Sequence, residues 1–356
     1  MNPKILFLYP SWNNHVCGLH RDPFIYEVSK QTDCKLAGHG FPDYIENEKT
    51  IDTIHRLYGN DEPDWVVGCG AYIKKQGFGG KITSWDQDMH VNPHALCKSI
   101  NENTDIWFTH CRYATHIFPD RNSFLEALQN NIDLNGWLNR GYCREVEKNY
   151  YVDRIKVKTF YFPYSLNPEK FKPSEEKKYD VSFLGSVGNF FPVRKNIWDN
   201  LPHIGKEKKW RVLLKSTPSA RYRYNLKEVY NNPKLRESII VGEDYAQALS
   251  KTKIFIFGCG ILRRPVSKIF EGLMSGTLVM CTEPFHADEI HLKPDWNYIK
   301  ITMENWQEKL EYYMDDDQLR ETIARRGHET ALKYHTNTVR AKEFIETLTQ
   351  NKNGGI

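Results

Sequence analysis

A strand, a basic loop and a helix follow one another in the stretch that decides the fold, Ile254-Phe-Ile-Phe-Gly-Cys-Gly-Ile-Leu-Arg-Arg-Pro-Val-Ser-Lys-Ile-Phe-Glu-Gly-Leu-Met-Ser-Gly-Thr-Leu-Val-Met-Cys281. Its first four residues form a compact apolar run, which predicts a buried strand that ends at Gly258. Pro265 suits the first turn of a helix, and Gly276 closes that helix before the next apolar run begins. The stretch therefore predicts a β-α-β unit, in which a helix connects two parallel strands.

The charged residues of this stretch have the arrangement that suits a nucleotide diphosphate. Arg263 and Arg264 lie in the loop, and Lys268 lies near the predicted helix start, where backbone N–H groups and basic side chains make an anion site. Glu271 lies one turn further along, where a carboxylate can accept hydrogen bonds from the diol of a ribose. The alternative is a surface helix with ordinary charges, and these residues alone do not decide between the two.

Short apolar runs alternate with helical patterns along both halves of the chain. This alternation predicts the α/β class, with two doubly wound, Rossmann-like domains that face a central cleft. The expected domains are residues 1–165 and 170–335, joined by a proline-rich, non-regular linker from Pro163 to Pro173. The predicted strands are Ile5–Tyr9, Trp65–Gly68, Ile82–Trp85, Ile106–Thr109, Tyr179–Leu184, Val212–Leu214, Ile239–Val241, Ile254–Phe257, Leu278–Cys281 and Tyr298–Ile301.

The composition excludes several classes of protein. Of the 356 residues, 40% are hydrophobic and 13% aromatic, which is enough for sizeable cores and excludes a disordered or fibrous chain. The 49 basic and 45 acidic side chains leave a net charge of +4, which neither indicates nor excludes binding to nucleic acid. The eight cysteines contain no C-x-x-C pair, which predicts buried free thiols in a reducing compartment. Since we find neither a signal peptide nor an apolar run of ~18 residues, we expect a cytoplasmic protein, at most peripheral to a membrane.

Three segments of the second half together resemble a known family. Lys268-Ile-Phe-Glu-Gly-Leu-Met-Ser-Gly276 matches its donor-binding segment, and Tyr179-Asp-Val-Ser-Phe-Leu-Gly-Ser186, with Arg194 downstream, matches the opening of its second domain. Leu310–Tyr334, followed by Arg340, resembles its closing helices. The family is that of GT-B glycosyltransferases, and the segments are most similar to its CgeB-like branch, related to glycosyltransferase family 4. The resemblance spans residues 160–345.

The resemblance implies roles for the charged residues. Glu271 is expected to bind the nucleotide ribose, while Arg194 and Lys268 neutralise the diphosphate as the nucleotide leaves. Retaining relatives carry two acids in an E-x7-E pair, and Arg263 replaces the first of them, so it can contact phosphate instead. Retention of the anomeric configuration is thus implied only by analogy with family 4. The resemblance also implies that the final helix, 338–350, packs back on the first domain. The predicted donor-binding residues are Gly185, Ser186, Arg194, Arg263, Arg264, Lys268 and Glu271.

Candidate residues of the first domain follow its predicted strands and should therefore face the cleft. Asp86, Asp88 and His90 follow one strand, and we predict that this group supplies the catalytic base. The same residues could bind a metal, but the resemblance implies that none is required, because basic side chains and helix dipoles stabilise the leaving group. The acceptor-side candidates after two other strands are His15, Gly18, His20, His110 and Arg112.

Together these observations predict a glycosyltransferase of hexosyltransferase type. It would move a sugar from a nucleotide-sugar donor, UDP-linked, to the hydroxyl of a carbohydrate or another acceptor, with the nucleotide sugar as co-substrate and no further cofactor. Two alternatives stay open. One is a phage-type glycosyltransferase that acts on modified bases of DNA, and the other is a non-catalytic protein that binds nucleotide sugars.

Overall fold

The chain forms two parallel β-sheets with interleaved helices, which confirms the predicted α/β class with two Rossmann-like domains. The computed structural model describes residues 2–11, 21–68, 78–85, 93–110, 155–188, 191–217, 226–260, 263–284 and 286–352. Elements are numbered along these ranges. Among the helices found there, none is both long and apolar enough to cross a membrane.

The first sheet lies in the amino-terminal half. Its strands are β1 (Ile5–Phe7), β2 (Cys34–Leu36), β3 (Trp65–Gly68), β4 (Lys81–Trp85), β5 (Ile106–Thr109) and β6 (Lys158–Tyr161). They lie in the order β2-β1-β3-β4-β5-β6, and every neighbouring pair is parallel. The carboxyl ends of all six strands therefore meet at one edge of the sheet.

Helices follow the strands in both halves. Those of the first half are α1 (Arg21–Gln31), α2 (Thr50–Tyr58) and α3 (Pro93–Asn103). Those of the second half are α4 (Pro192–Glu207), α5 (Leu226–Asn231), α6 (Pro233–Ser238), α7 (Gly242–Ser250), α8 (Ser267–Met274), α9 (Trp306–Asp315), α10 (Asp317–Tyr334) and α11 (Asn337–Lys352).

Successive residues of a strand point to opposite sides of a sheet, and every residue of β1, β3 and β5 is buried, so these strands are covered on both faces. On one face Phe7 packs with Phe24 of α1 and with Phe344 of the final helix, α11. On the other face Leu6 packs with Ile54 of α2. The last helix of the chain thus contributes to the core of the first domain.

The second sheet lies in the carboxyl-terminal half and is also parallel. Its strands are β7 (Tyr179–Leu184), β8 (Val212–Lys215), β9 (Thr252–Phe257), β10 (Leu278–Cys281) and β11 (Ile299–Lys300). They lie in the order β11-β10-β9-β7-β8, so the chain moves from β7 to one side and then returns to the other. The order reverses between β7 and β9, and ligands of such sheets bind beyond the carboxyl ends of the strands at this position.

Helix α8 packs unusually closely on this sheet. A Cβ atom on Gly272 would lie 2.6 Å from Cγ2 of Val279 on β10 and 3.0 Å from Cδ1 of Phe255 on β9. Only a hydrogen atom fits at this position, which explains why glycine follows Glu271. The close packing anchors the helix that carries Lys268 and Glu271 to the middle of the sheet.

One predicted strand is wrong. Ile239 forms only an isolated bridge with Ser216, and Val241 already precedes the first turn of α7. Gly242 has a φ of 57°, a left-handed conformation that glycine adopts without strain. The chain turns here, and this turn, rather than another strand, brings α7 to the sheet.

The two halves are joined through the proline-rich linker and the start of α11. Leu166 of the linker pairs with residues 335–337, since its N–H donates to the carbonyl of His335 and its carbonyl accepts from the N–H of Asn337, both at 2.9 Å. His335 is fully buried, with its Nε2 bonded to the carbonyl of Ile290 at 3.1 Å and its Nδ1 3.2 Å from Nη2 of Arg340. This junction leads the chain back to the first domain.

Candidate functional site

The loops after β7 and β9 flank the position where the strand order reverses, and Arg194 links them. Its Nε donates to the carbonyl of Gly258, which follows β9, at 2.5 Å. Its Nη1 donates to the carbonyl and the hydroxyl of Ser186, which follows β7, at 3.4 and 3.3 Å. One guanidinium thereby holds both loops at the edge of the crevice.

Arg194 is a buried cation. Only 2% of the residue is exposed, and its guanidinium carbon lies 3.8 Å from the ring centroid of Phe191. Burial lowers the pKa of Arg194 to about 10, so the side chain stays charged at neutral pH. A positive charge that contacts both loops favours an anion in the crevice that they border.

Lys268 and Arg194 converge on the first residue after β7. A methyl group on Gly185 would lie 3.5 Å from Cε of Lys268 and 3.7 Å from Nη1 of Arg194. Since Lys268 belongs to the first turn of α8, the helix amino terminus points to the same place. Arg194 and Lys268 therefore create a positive potential beside Gly185, which suits a phosphate.

Glu271 lies one turn further along α8 and is 3% exposed. The hydroxyl of Tyr245, from α7, donates to its Oε2 at 2.5 Å. Lys268 Nζ lies 3.4 Å from the same hydroxyl oxygen and 4.8 Å from the centroid of the tyrosine ring. Burial, with the charge of Glu271, raises the pKa of Tyr245 well above its ordinary value, so the hydroxyl keeps its proton. A carboxylate and an ammonium group thus contact the same tyrosine hydroxyl.

Arg263 lies further towards β10, and its side chain pairs with Glu283. Its Nε donates to the Glu283 carbonyl at 2.9 Å, and its Nη2 lies 3.3 Å from Oε2 of the same residue. Lys300 of β11 also reaches this carboxylate, at 2.7 Å. Arg264 follows in the loop and is half-buried. The predicted contact of Arg263 with phosphate stays a prediction, and in this structure its described contacts are with Glu283.

Among the candidate residues of the first domain, His110 lies in the described part of the chain. It follows β5 directly and is buried. Its Nδ1 bonds to the carbonyl of Phe162 at 2.8 Å; because a carbonyl only accepts, the hydrogen is on Nδ1. In the neutral ring the lone pair is then on Nε2. The imidazole stacks on Tyr164 at a centroid distance of 4.0 Å, and Tyr164 contacts Phe270 of α8, at 6.2 Å. His110 is connected in this way to the helix that carries Glu271.

The other first-domain candidates lie outside the described residues, and their roles stay predictions. They are Asp86, Asp88, His90, His15, Gly18, His20 and Arg112. In the part of the chain that the structure describes, no three His, Cys, Asp or Glu side chains could together hold a metal ion. This finding does not test the group formed by Asp86, Asp88 and His90.

Two residues of the site were not predicted from the sequence. Tyr245 follows Gly242-Glu-Asp244, a stretch whose sequence is consistent with a helix start or with a position near the nucleotide base, and neither interpretation points to the tyrosine. Glu283 lies two residues after β10, and the rule that ligands contact residues just after strands could have identified it. No sequence signal indicates that Tyr245 and Glu271, 26 positions apart, share a hydrogen bond.

Comparisons with known proteins agree with this geometry. Residues 199–346 match a family model described as "Glycosyl transferase-like". The matched stretch is less than half of the chain. A comparison with curated proteins finds no significant match. The family model contains β8 to β11 and helix α8, and therefore includes Lys268 and Glu271.

Several solved structures share the architecture over nearly the whole chain. Sucrose-phosphate synthase of Thermosynechococcus elongatus is 12% identical, with a TM-score of 0.59 and 98% of each chain covered. The Anabaena protein HepE in complex with UDP-glucose is 12% identical, with a TM-score of 0.61, over 98% of this chain and 100% of that one. A glycosyltransferase of Rickettsia africae is 12% identical, with a TM-score of 0.57 and full coverage of both chains.

At such low identity the structural matches establish the fold and not the activity. They do not distinguish the CgeB-like branch, which stays a prediction. The two parallel sheets, the order of the second sheet and the match over residues 199–346 agree with one another. The chain therefore has the GT-B fold, with two Rossmann-like domains and a glycosyl transferase-like segment in the second of them.

Proposed function

We propose that this protein is a glycosyltransferase that takes a hexosyl group from a UDP-linked donor and transfers it to an acceptor hydroxyl. One observation carries the proposal. Lys268 and Arg194 lie beside Gly185 where the strand order reverses, and Glu271 lies one turn further along the helix that carries Lys268. A phosphate beside Gly185 and a ribose beside Glu271 fit this arrangement of cations and carboxylate.

The choice of a UDP-linked hexose rests on similar proteins. The Anabaena protein HepE, which shares the fold, was solved with UDP-glucose and also with UDP and glucose. The choice of hydroxyl acceptor rests on the sequence resemblance. The nature of the acceptor, including a base of DNA, is a separate question, since the described residues of the first domain do not favour one class.

In the proposed reaction the second domain stabilises the leaving nucleotide. As the anomeric bond breaks, negative charge grows on the diphosphate, and Lys268 and Arg194 stabilise it in place. We assign the removal of the acceptor proton to the Asp86, Asp88 and His90 group of the first domain. His110 is proposed to help orient the acceptor, since it lies at the carboxyl edge of the first sheet.

The test is binding and turnover with a panel of nucleotide sugars. Isothermal titration measures UDP affinity, and release of UDP measures turnover with and without acceptors. Glu271→Ala should weaken UDP binding by about 10- to 100-fold, because a hydrogen bond to a charged group contributes ~1.5–3 kcal/mol. Glu321→Ala, which removes an exposed carboxylate on α10, is the matched control and should bind UDP as the parent protein does.

The outcomes separate the proposals. Unchanged UDP affinity in a folded Glu271→Ala protein contradicts the ribose assignment. Tight binding of UDP-sugars without release of UDP, with every acceptor tried, favours the non-catalytic binding protein. Retention on DNA at low salt that declines as salt rises would favour a DNA acceptor, because phosphate contacts release counterions.

A further inference from the structure

Tyr245 lies between the two charged groups of the candidate donor site. It belongs to α7, whereas Lys268 and Glu271 belong to α8, so its side chain connects two helices. Only 3% of the residue is exposed. Its hydroxyl is 2.5 Å from Glu271 Oε2 and 3.4 Å from Lys268 Nζ, so it contacts both groups at once.

The direction of these hydrogen bonds follows from the groups involved. The ammonium of Lys268 only donates, and the ionised carboxylate of Glu271 only accepts. The tyrosine oxygen must therefore accept from Lys268 and give its single hydrogen to Glu271. The bonds form a short chain from Lys268 through Tyr245 to Glu271, in which each bond polarises the next.

This chain determines how the carboxylate of Glu271 is presented. The terminal torsion of a glutamate is soft, so the carboxylate plane is set mainly by its hydrogen bonds. A bond from Tyr245 to Oε2 restrains that plane and with it the direction of the lone pairs on Oε1. The same hydroxyl keeps Lys268 Nζ over the tyrosine ring, while Cε of the lysine stays beside Gly185.

We infer that Tyr245 is a positioning residue that aligns Glu271 with the ribose diol, with its hydroxyl oxygen held from the other side by Lys268. The inference rests on the proposed function, since it assumes that Glu271 faces a ribose. It assigns no chemical step to Tyr245. The hydroxyl acts on diol recognition through Glu271.

The experiment compares two ligands that differ only in the diol. Affinities for UDP and for 2′,3′-dideoxy-UDP are measured by titration calorimetry in the parent protein and in Tyr245→Phe. The ratio of the two affinities reports recognition of the diol. In Tyr245→Phe we expect this ratio to fall about tenfold, the upper end of what one hydrogen bond contributes. The affinity for the dideoxy compound should change by less than threefold.

Tyr313→Phe is the matched control. Tyr313 is also a buried tyrosine of the second domain, and its hydroxyl donates to a carboxylate, Asp295, at 3.4 Å. This pair lies on α9 and the segment before β11, away from α7 and α8. The variant should retain the ligand ratio of the parent protein.

A double variant tests whether Tyr245 acts through Glu271. In a Glu271→Ala background no carboxylate is left for the hydroxyl to orient, so adding Tyr245→Phe should lower UDP affinity by no more than twofold. This background also removes the carboxylate that would be buried without Tyr245, so it preserves the test if the single variant does not fold.

Three results would overturn the inference. An unchanged ligand ratio in Tyr245→Phe removes the positioning role. An equal loss for both ligands shows a general structural role instead. If the parent protein itself does not distinguish UDP from its dideoxy analogue, the ribose assignment of the proposed function fails, and the role of Tyr245 fails with it.

Discussion

Replacing Arg194 by methionine tests whether its buried charge, rather than its shape, creates the phosphate site. Methionine keeps a long unbranched side chain and removes the guanidinium that donates to Gly258 and Ser186. A methyl group on Gly185 would lie 3.7 Å from Nη1 of Arg194, so a phosphate packed on Gly185 comes close to this charge. The variant therefore removes one positive charge from the immediate surroundings of the expected diphosphate.

The expected loss can be worked out from this geometry. Unit charges separated by about 6 Å, at an effective dielectric constant of about 20, interact by about 3 kcal/mol. That energy corresponds to about a hundredfold change in the dissociation constant of UDP. The effect on folding should be smaller, because lost hydrogen bonds of ~1–3 kcal/mol are opposed by the relief of burying a charge. The variant should thus be folded but bind UDP weakly.

The assay is titration with UDP, UMP and uridine at one salt concentration. Uridine carries no phosphate, so its affinity should be nearly unchanged, while UMP should lose less affinity than UDP. Arg194→Lys is the matched control: it keeps the charge and loses the forked donors, so it should retain most of the affinity for UDP. An equal loss for uridine and UDP would refute the electrostatic reasoning and leave Arg194 as a purely structural link between the two loops.

Two further predictions concern stability. Gly272→Ala places a methyl group 2.6 Å from Val279 Cγ2 and should lower the melting temperature by several degrees, since overpacking costs ~1–3 kcal/mol, about 2–4 °C each. Gly188→Ala, with nothing within 4 Å, is the control, and equal melting temperatures would contradict the packing argument. Burial lowers the pKa of His335 to about 3, so its neutral form, which accepts from Arg340, is the folded one. The unfolded chain then binds a proton that the folded chain excludes. The free energy of unfolding is therefore highest above the ordinary histidine pKa and should fall by about 2 kcal/mol between pH 7 and 5. Urea unfolding of His335→Gln should show a shallower pH dependence, and the parent slope in this variant would contradict the assignment.

Much of the second domain could be predicted from local pattern. The apolar runs at Tyr179–Leu184 and Leu278–Cys281 are the observed strands β7 and β10, residue for residue. Local pattern failed at Ile239–Val241, because that run meets the sheet edge only at Ile239 and a left-handed glycine then begins α7. Apolar character alone does not show whether a neighbouring strand is available to pair.

The sequence predicted the charged residues of the candidate site but not the contacts that those residues make. Lys268 and Glu271 could be named because their spacing on one helix places them one turn apart. Tyr245 could not, because its partnership with Glu271 depends on how α7 and α8 pack on the sheet. The burial of Arg194 could not be predicted for the same reason, because a basic side chain is usually exposed unless other parts of the fold cover it.

The amino-acid sequence by itself determined the α/β class, the β-α-β unit at residues 254–281 and the basic and acidic residues near the start of α8, because strands, helix starts and charges are local properties of the chain. Only the tertiary structure decided that Arg194 links two loops, that Arg263 faces Glu283 and that Tyr245 connects Lys268 to Glu271. The physical reason is that parallel strands pair across long separations in sequence. The side chains that meet at their carboxyl ends are therefore selected by strand order and helix packing, which no local pattern contains.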